Sequence, residues 1–450
     1  MKILHKIAFL LPLSGLLIIS SCKKTFTSVN TNPNAVSTVP PGLLLPTVEA
    51  AMAYTQGGDM SRFSSLLMQT VYGANSQSQQ YYIYNLNPGS FDNLWPDLYT
   101  STLENNHSLI GICDSLGYNE YGGIARIIMA YGLQVSVDLW GDLPYSTAFQ
   151  GNVAGGTIHP SYDKAQGLYD TVSSLINAGI ALLNNPDPGA LTPSSDDVLY
   201  GGNAASWIAF GHAINARLAI HQSKGSAAMA TTALSEIAQS FTKESGNAAY
   251  VFGTTQNAAN PWYQFYNDRP GDENFVQGTL SANMLADNDP RYLSFDLDST
   301  DIHGNFLSYY NQINSPVEFI TYEELLFMSA EATLRSSGNI ATAQTYFTAA
   351  ITANFNKLGI DPTAYLAAHG TLPLTVAAAI DTVAAQEFIA LYLNPEAWVL
   401  WRRTGTPNLT TVTPGSAIPR RLLYPQTELN FNAANVPSAT LYAPKLFWDN

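Results

Sequence analysis

The sequence predicts an all-α fold, a scaffold of paired helices with long irregular insertions. Three observations lead there. From about Leu43 onward apolar residues recur at helical spacing, while strand-like alternation is scarce and short. One pair of segments, Tyr322–Ser336 and Ile340–Leu358, reads as two apolar-faced helices joined at a glycine. Of the 450 residues, 46% are hydrophobic and only 12% charged, enough to bury a sizeable core.

Taken in order, the chain begins with Lys2 and Lys6 ahead of an apolar stretch from Ile7 to Ile19. That is a charged n-region and an h-region of signal-peptide length. It falls short of the ~20 apolar residues that a membrane-spanning helix needs. Ile19-Ser20-Ser21-Cys22 resembles the bacterial lipobox, so residues 1–21 are expected to be removed and Cys22 to be lipidated. Acyl chains there would anchor the chain at ~0.8 kcal/mol per buried methylene. Losing Lys2 and Lys6 from 19 basic residues, against 34 acidic ones, leaves a formal charge of −17. So acidic a chain lacks the basic footprint that phosphate backbones require, and nucleic acid is not an expected partner. Residues 22–42, with Asn32-Pro33-Asn34 and Pro40-Pro41, read as an extended tether. Residues 43–450 read as a single helical domain.

Within that domain, helices are expected over Leu43–Gln56, Arg62–Tyr72, Asp92–Leu116, Tyr121–Asp138, Tyr162–Leu183, Ala205–Lys224 and Ala227–Phe241. A later set covers Tyr322–Ser336, Ile340–Leu358 and Val376–Trp401. Leu325, Met328, Ala332 and Leu334 form one apolar face, and Gly338 marks a C-terminal stop. Ala343, Tyr346, Phe347, Ala350 and Ile351 follow on the next helix. Small residues so spaced let two helices pack closely, as in tetratricopeptide-like helix pairs, here without a strict period. Residues 242–320, rich in Asn, Asp, Gly, Pro and aromatics, are expected to be irregular, and loops that long are usually functional.

Signatures of catalysis are mostly missing. There is no His-Glu-x-x-His pair, no Gly-x-Ser-x-Gly elbow and no phosphate-cradling glycine loop. His212 and His221 stand nine apart, which is not a chelating spacing, and read as satisfied histidines. Cys113, left alone once Cys22 is lipidated, reads as a small buried apolar residue. Glu323-Glu324 or Asp196-Asp197 could serve a glycoside hydrolase, but adjacent acids on a helix point about 100° apart, so solvated surface acids are the expectation.

Two local motifs stand out. Asp138-Leu139-Trp140-Gly141-Asp142-Leu143-Pro144-Tyr145-Ser146 closes a helix, with Gly141 as the stop and Pro144 barring continuation. Trp401-Arg402-Arg403-Thr404-Gly405 is followed by Ile418-Pro419-Arg420-Arg421-Leu422 and Tyr424-Pro425. Buried guanidinium groups need matched acids, so Arg402 or Arg403 is expected to pair with Asp138 or Asp142.

With these residues on the page, the chain resembles the SusD/RagB-type nutrient-binding outer-membrane lipoproteins of Bacteroidetes. It is most similar to the subgroup with the Asp-Leu-Trp-Gly-Asp-x-Pro-Tyr turn. The supporting residues span nearly the whole chain: Cys22, Asn32-Pro33-Asn34 with Pro40 and Leu43–Pro46, the 138–146 turn, Asp289-Pro290-Arg291, Glu331-Ala332, Trp401 to Gly405, Ile418 to Pro425 and Lys445-Leu446-Phe447-Trp448. The resemblance implies tetratricopeptide-like helix pairs, a binding surface on irregular insertions and no catalytic activity. It further implies a lipid-anchored, cell-surface position in the outer membrane and a SusC-like TonB-dependent transporter as partner. The implied ligand is an oligosaccharide or another small nutrient. A structural cation such as calcium also fits the family, with no ligands assignable here. Lys23-Lys24 stands where many surface-exported members carry acidic residues.

Sugars present apolar C–H faces to aromatic rings and hydroxyls to amides and carboxylates. Two stretches suit that chemistry. One is the polar loop Asn75 to Tyr84, with Tyr81 and Tyr82; the other is Asn260 to Arg269, with Trp262, Tyr263, Tyr266, Asn267 and Arg269. These seven are the expected ligand-binding residues. Two rival readings stay open: a surface glycoside hydrolase using a carboxylate pair, and a structural helical-repeat adaptor.

Overall fold

Helix α5, Asn119–Trp140, is the spine of the fold, and every residue from Ile127 to Trp140 on it is buried. A helix apolar all round must be surrounded by other elements. Here α1 (Pro41–Thr55), α4 (Asn105–Leu116), α6 (Ala165–Leu183) and α7 (Ala204–His221) pack against it. This computed structural model describes residues 39–297 and 308–449. The expected signal segment and Cys22 lie outside the described residues. Contacts divide the chain into Met1–Pro40 and Pro41–Asn450, and the elements named below all belong to the second unit.

The remaining helices follow as neighbouring pairs. Between α1 and α4 lie α2 (Ser61–Leu67) and α3 (Ser76–Tyr82). α8 (Ala227–Ile237) packs on α7, and α9 is Pro261–Asp268. α10 (Tyr322–Ser337) packs on α8, α11 (Ile340–Lys357) and α12 (Val376–Ala390), and α13 is Glu396–Thr404. The α10–α11 hairpin has its causes in the sequence. The Thr321 hydroxyl caps the Glu324 amide, Gly338 ends α10 in the left-handed region (φ +67°), and the Asn339 side chain caps Thr342. Phe327, Phe347, Ile351, Phe355 and Val383 then form a second core between α10, α11 and α12. The spine is held closest where α5 meets α6. A Cβ on Gly123 would stand 2.8 Å from the Gly179 carbonyl oxygen, so the two backbones touch directly. The all-α fold of helix pairs is what the sequence predicts.

Strands are short antiparallel clasps. β1 (Tyr72–Gly73) pairs with β5 (Glu273–Asn274), β2 (Leu143–Pro144) with β3 (Tyr162–Asp163), and β4 (Ala248–Val251) with β6 (Pro316–Ile320).

Several expected boundaries move. The helix expected over Asp92–Leu116 runs from Leu94 to Leu116, with a wide π-type stretch, Asp97–Glu104, leading into α4. Val376–Trp401 breaks at Pro395, which cannot donate into the ladder, into α12 and α13. Helix α6 starts at Ala165, because Tyr162 and Asp163 are committed to β3. The segment 242–320 is less irregular than expected and contains α9, Thr279–Ala286, β4, β5 and β6. Asn75 to Tyr84, expected as a loop, holds α3.

Candidate functional site

The two stretches singled out in the sequence do meet in space. Strand pair β1–β5 ties the start of one to the end of the other, and the Asn75 side chain donates to the Gly271 carbonyl at 2.8 Å. Arg62 lies over the Phe265 ring at 3.6 Å, with Arg269 on the same ring at 5.4 Å. The aromatic faces, however, turn inward. Trp262, Tyr266, Tyr81 and Tyr82 are buried. Trp262 Nε1 donates to the Ser61 hydroxyl at 2.8 Å, and Tyr266 donates to the Glu273 carbonyl at 3.2 Å. Tyr81 packs on Phe63 at 4.5 Å, and burial, then the Asp59 charge, pushes its hydroxyl up to about 12. Asn260 explains the inward turn. Its side chain caps the Trp262 and Tyr263 amides and Pro261 occupies the first turn, so α9 forms with Trp262 and Tyr266 one turn apart on its buried face. Tyr263 stays half-buried, while Asn267 and Arg269 are exposed.

A different cleft is lined by aromatic rings, of which Trp95 is buried, Tyr99 and Phe149 are half-buried and Phe431 is exposed. Its volume is about 600 Å³. Trp95 and Tyr99 form one side, Phe149 in the insertion between β2 and β3 a second, and Phe431 on the short helix Gln426–Phe431 a third. Trp95 and Tyr99 stack at 4.5 Å and 23°, one turn apart across the widened helix. Trp95 in turn stands edge-on to Trp140 at 5.2 Å. The Tyr99 hydroxyl donates to the Pro144 carbonyl at 2.9 Å, and burial, then the Glu428 charge, raises its pKa well above the usual value, so it remains a neutral donor. Phe149 stacks on His107 at 5.0 Å. Phe431 is 75% exposed. Around these rings lie Gln150, Asn152, Thr147, Thr157, Thr427, Glu104 and Glu428. The insertion is clamped to the far side: the Asn432 amide donates to the Pro160 carbonyl at 3.0 Å and Asn435 to the His159 carbonyl at 3.1 Å. Such a lining can stack sugar faces and satisfy sugar hydroxyls together. The signal was present in the sequence: Phe149 precedes Gln150-Gly151-Asn152, and Phe431 stands between Asn430 and Asn432.

The 138–146 turn holds one wall of that cleft. Asp142 accepts from the Ala165 amide at 2.9 Å and pairs with Lys164 at 2.8 Å. Asp163 accepts from the Tyr145 and Ser146 amides at 3.0 and 2.7 Å. The expected pairing of Arg402 or Arg403 with Asp138 or Asp142 does not form. Arg402 donates to the Arg420 carbonyl at 2.9 Å and lies over Trp398 at 4.2 Å, while Arg403 pairs with Glu331 and Glu387. It is the following segment that grips the turn. Arg421 donates to the Trp140 carbonyl, Tyr424 donates to the Asp142 carbonyl at 2.8 Å, and Trp140 Nε1 donates to the Leu423 carbonyl at 2.9 Å.

Of the two acid pairs only Asp196 keeps the solvent access expected of them, accepting from the Tyr121 hydroxyl at 2.6 Å; the other three acids are buried, contrary to expectation. Glu323 and Glu324 are fully buried, Glu324 held by Arg217 at 2.8 Å and Glu323 facing Lys357. Asp197 is buried too, accepting from the Trp207 indole at 2.7 Å. None of Glu323, Glu324 and Asp197 lines the aromatic cleft, and their partners mark them as scaffold. Cys113 is buried, and burial pushes its thiol up to about 12, as suits an inert core residue. Among the described residues, Asp138, His221 and Glu396 lie close enough together to consider for a metal ion. Their geometry suits mutual hydrogen bonding better. His221 Nε2 meets Glu396 at 2.8 Å, Nδ1 meets the Tyr169 hydroxyl at 2.8 Å, and Gln134 donates to Asp138 at 3.0 Å. The two ring nitrogens therefore serve different partners.

Fold and cleft together define a helical scaffold with an aromatic-lined cleft at its insertions. A family described as starch-binding and associating with the outer membrane, SusD-like, matches residues 33–425, and the chain belongs to that family. It is a family of binding proteins, not catalysts. No curated protein sequence matches. The chain is similar to a SusD/RagB family protein of Bacteroides thetaiotaomicron, with 23% identity over 92% of this chain and 99% of that one, at a TM-score of 0.73. A chitin-binding protein shares 21% identity over 91% and 100% of the two chains, TM-score 0.74. A chitin-binding SusD homolog from Flavobacterium johnsoniae shares 19% over 91% and 97%, TM-score 0.71.

Proposed function

We infer that the protein is a non-catalytic binder that captures oligosaccharides, is lipid-anchored through Cys22 at the cell surface, and hands its ligand to a SusC-like TonB-dependent transporter. The cleft carries the reading: Tyr99, Phe149 and Phe431 offer rings, with Gln150 and Asn152 beside them. Starch and chitin binding among its relatives points to the same ligand class. Tyr263, Asn267 and Arg269 form a second candidate contact zone, with Trp262, Tyr266, Tyr81 and Tyr82 supporting it from beneath. Titration calorimetry with maltoheptaose and chitohexaose tests both zones. Phe149→Ala with Phe431→Ala should weaken binding about tenfold or more, since stacked rings contribute ~0.5–1.5 kcal/mol each beyond burial. Unchanged affinity there, with a loss in Tyr263→Ala and Arg269→Ala, moves the site to α9. Unchanged affinity in both sets removes both zones.

A further inference from the structure

The lining of the cleft has a charge of one sign. Glu104 and Glu428 contribute carboxylates from two of its walls, and among its described lining residues there is no Lys, Arg or His. Glu428 is held in place by the Tyr162 hydroxyl at 2.8 Å and by the Asn432 amide at 3.1 Å. Neither of these partners is a cation, so the charge is oriented without being neutralised. Pro96 is shared with a second depression of about 550 Å³, lined by Tyr54, Asn93 and Ser101 together with Asp59 and Asp97. Again no basic side chain lines it. Arg62 reaches Asp59 at 3.2 Å but divides itself with Glu273, also at 3.2 Å. Burial, then the Asp59 charge, raises the Asp97 carboxyl, as expected of two acids facing each other.

Resting on the carbohydrate reading above, we propose that this cleft is selective for uncharged oligosaccharides, with Glu104 and Glu428 as specificity-determining residues that exclude glycans bearing carboxylate or sulfate. The physical basis is Coulombic. A partly desolvated anion beside these two carboxylates, with no Lys or Arg lining the cleft and only the His107 and His159 rings behind Phe149 and Phe431, is repelled more strongly than at a wet surface. A hydroxyl in the same place instead donates a charge-assisted hydrogen bond to either acid. The acids thus attract a neutral sugar and reject its oxidised counterpart.

Calorimetry with maltoheptaose and chitohexaose, each paired with its counterpart carboxylated at C6, tests this. Wild type should bind the neutral partner about tenfold or more tightly than the carboxylated one at low salt. That ratio should shrink at about 0.5 M salt, where screening is short-ranged. In Glu104→Gln/Glu428→Gln the ratio should fall toward one, read within the same variant so that any general loss of affinity cancels. Glu104→Gln alone gives a partial fall and serves if the double variant melts early. A wild-type ratio of one or below overturns the proposal, as does a ratio indifferent to both salt and substitution. If no probe of either kind binds, it is the carbohydrate reading that fails; equal binding of both kinds sinks the charge filter alone.

Discussion

Glu49 shows how buried acids set the behaviour of single residues in this chain. It lies on α1, almost fully buried, with the Val198 amide donating to it at 2.7 Å. Burial first, then the neighbouring Asp197 charge, pushes its carboxyl from 4.5 up to about 10. A carboxyl whose pKa rises on folding takes up a proton, so its contribution is complete below about pH 4.5 and lost as pH climbs toward about 10. Melting temperatures should therefore decline from pH 5 to pH 9, and Glu49→Gln should flatten that decline while keeping an acceptor for Val198. An identical slope in wild type and variant would discard the assignment. Glu331 is the opposite case: burial opposes ionisation, yet Arg403 and then Arg335 hold it down to about 2. None of this was legible in the sequence, where Glu323-Glu324 looked like surface charge. What holds Glu324 is Arg217, 107 positions away, and pairing across such a distance leaves no local trace.

At the level of elements, periodicity placed the long helices well, because an amphipathic or wholly apolar run has little alternative. The spine, the α10–α11 hairpin and its Gly338 stop were all readable. Less visible were the widening of the helix over Asp97–Glu104 and the place where proline divides a periodic run, at Pro395. Helix α9 was missed although its start signal, Asn260-Pro261, was in plain view, because amides and aromatics drew attention to ligand chemistry. Glycines separate the two kinds of helix position cleanly. Gly123 has no room, since an added Cβ would stand 2.7 Å from Leu183 and 2.8 Å from the Gly179 carbonyl. Gly123→Ala should destabilise by about 1–3 kcal/mol. Gly111, inside α4, has nothing within 4 Å. Gly111→Ala should stabilise by about 0.5–1 kcal/mol through helix propensity. Urea denaturation of the two variants reads both signs, and destabilisation of similar size in each would contradict the packing account.

For the whole molecule, no helix among the described residues is long and apolar enough to cross a membrane. Membrane attachment then rests on Cys22 in our reading. Cys22→Ser should move the full chain from the membrane to the soluble fraction in cells lacking the partner transporter. Retention in the membrane fraction would show another means of attachment. The family was legible from motifs scattered over the chain; of the cleft only fragments were, the aromatic–amide neighbours at Phe149 and Phe431, and not their meeting in space. Its three walls come from the 95–104 region, the 144–160 insertion and the 427–431 helix, each unremarkable alone.

That division has a consequence for how the molecule matures. The Thr427 amide donates to Asp92 across 335 positions, and the Asn432 clamp reaches Pro160 across 272. Closing loops of that length costs entropy, and with few apolar contacts to drive them these surface clasps are expected to form late in folding. A chain with its spine assembled but these clasps open would look largely helical and yet have no receptor to offer. On the binding reading proposed above, ligand capture becomes a readout of completed folding, and a saturating sugar would stabilise only molecules that have passed that final step.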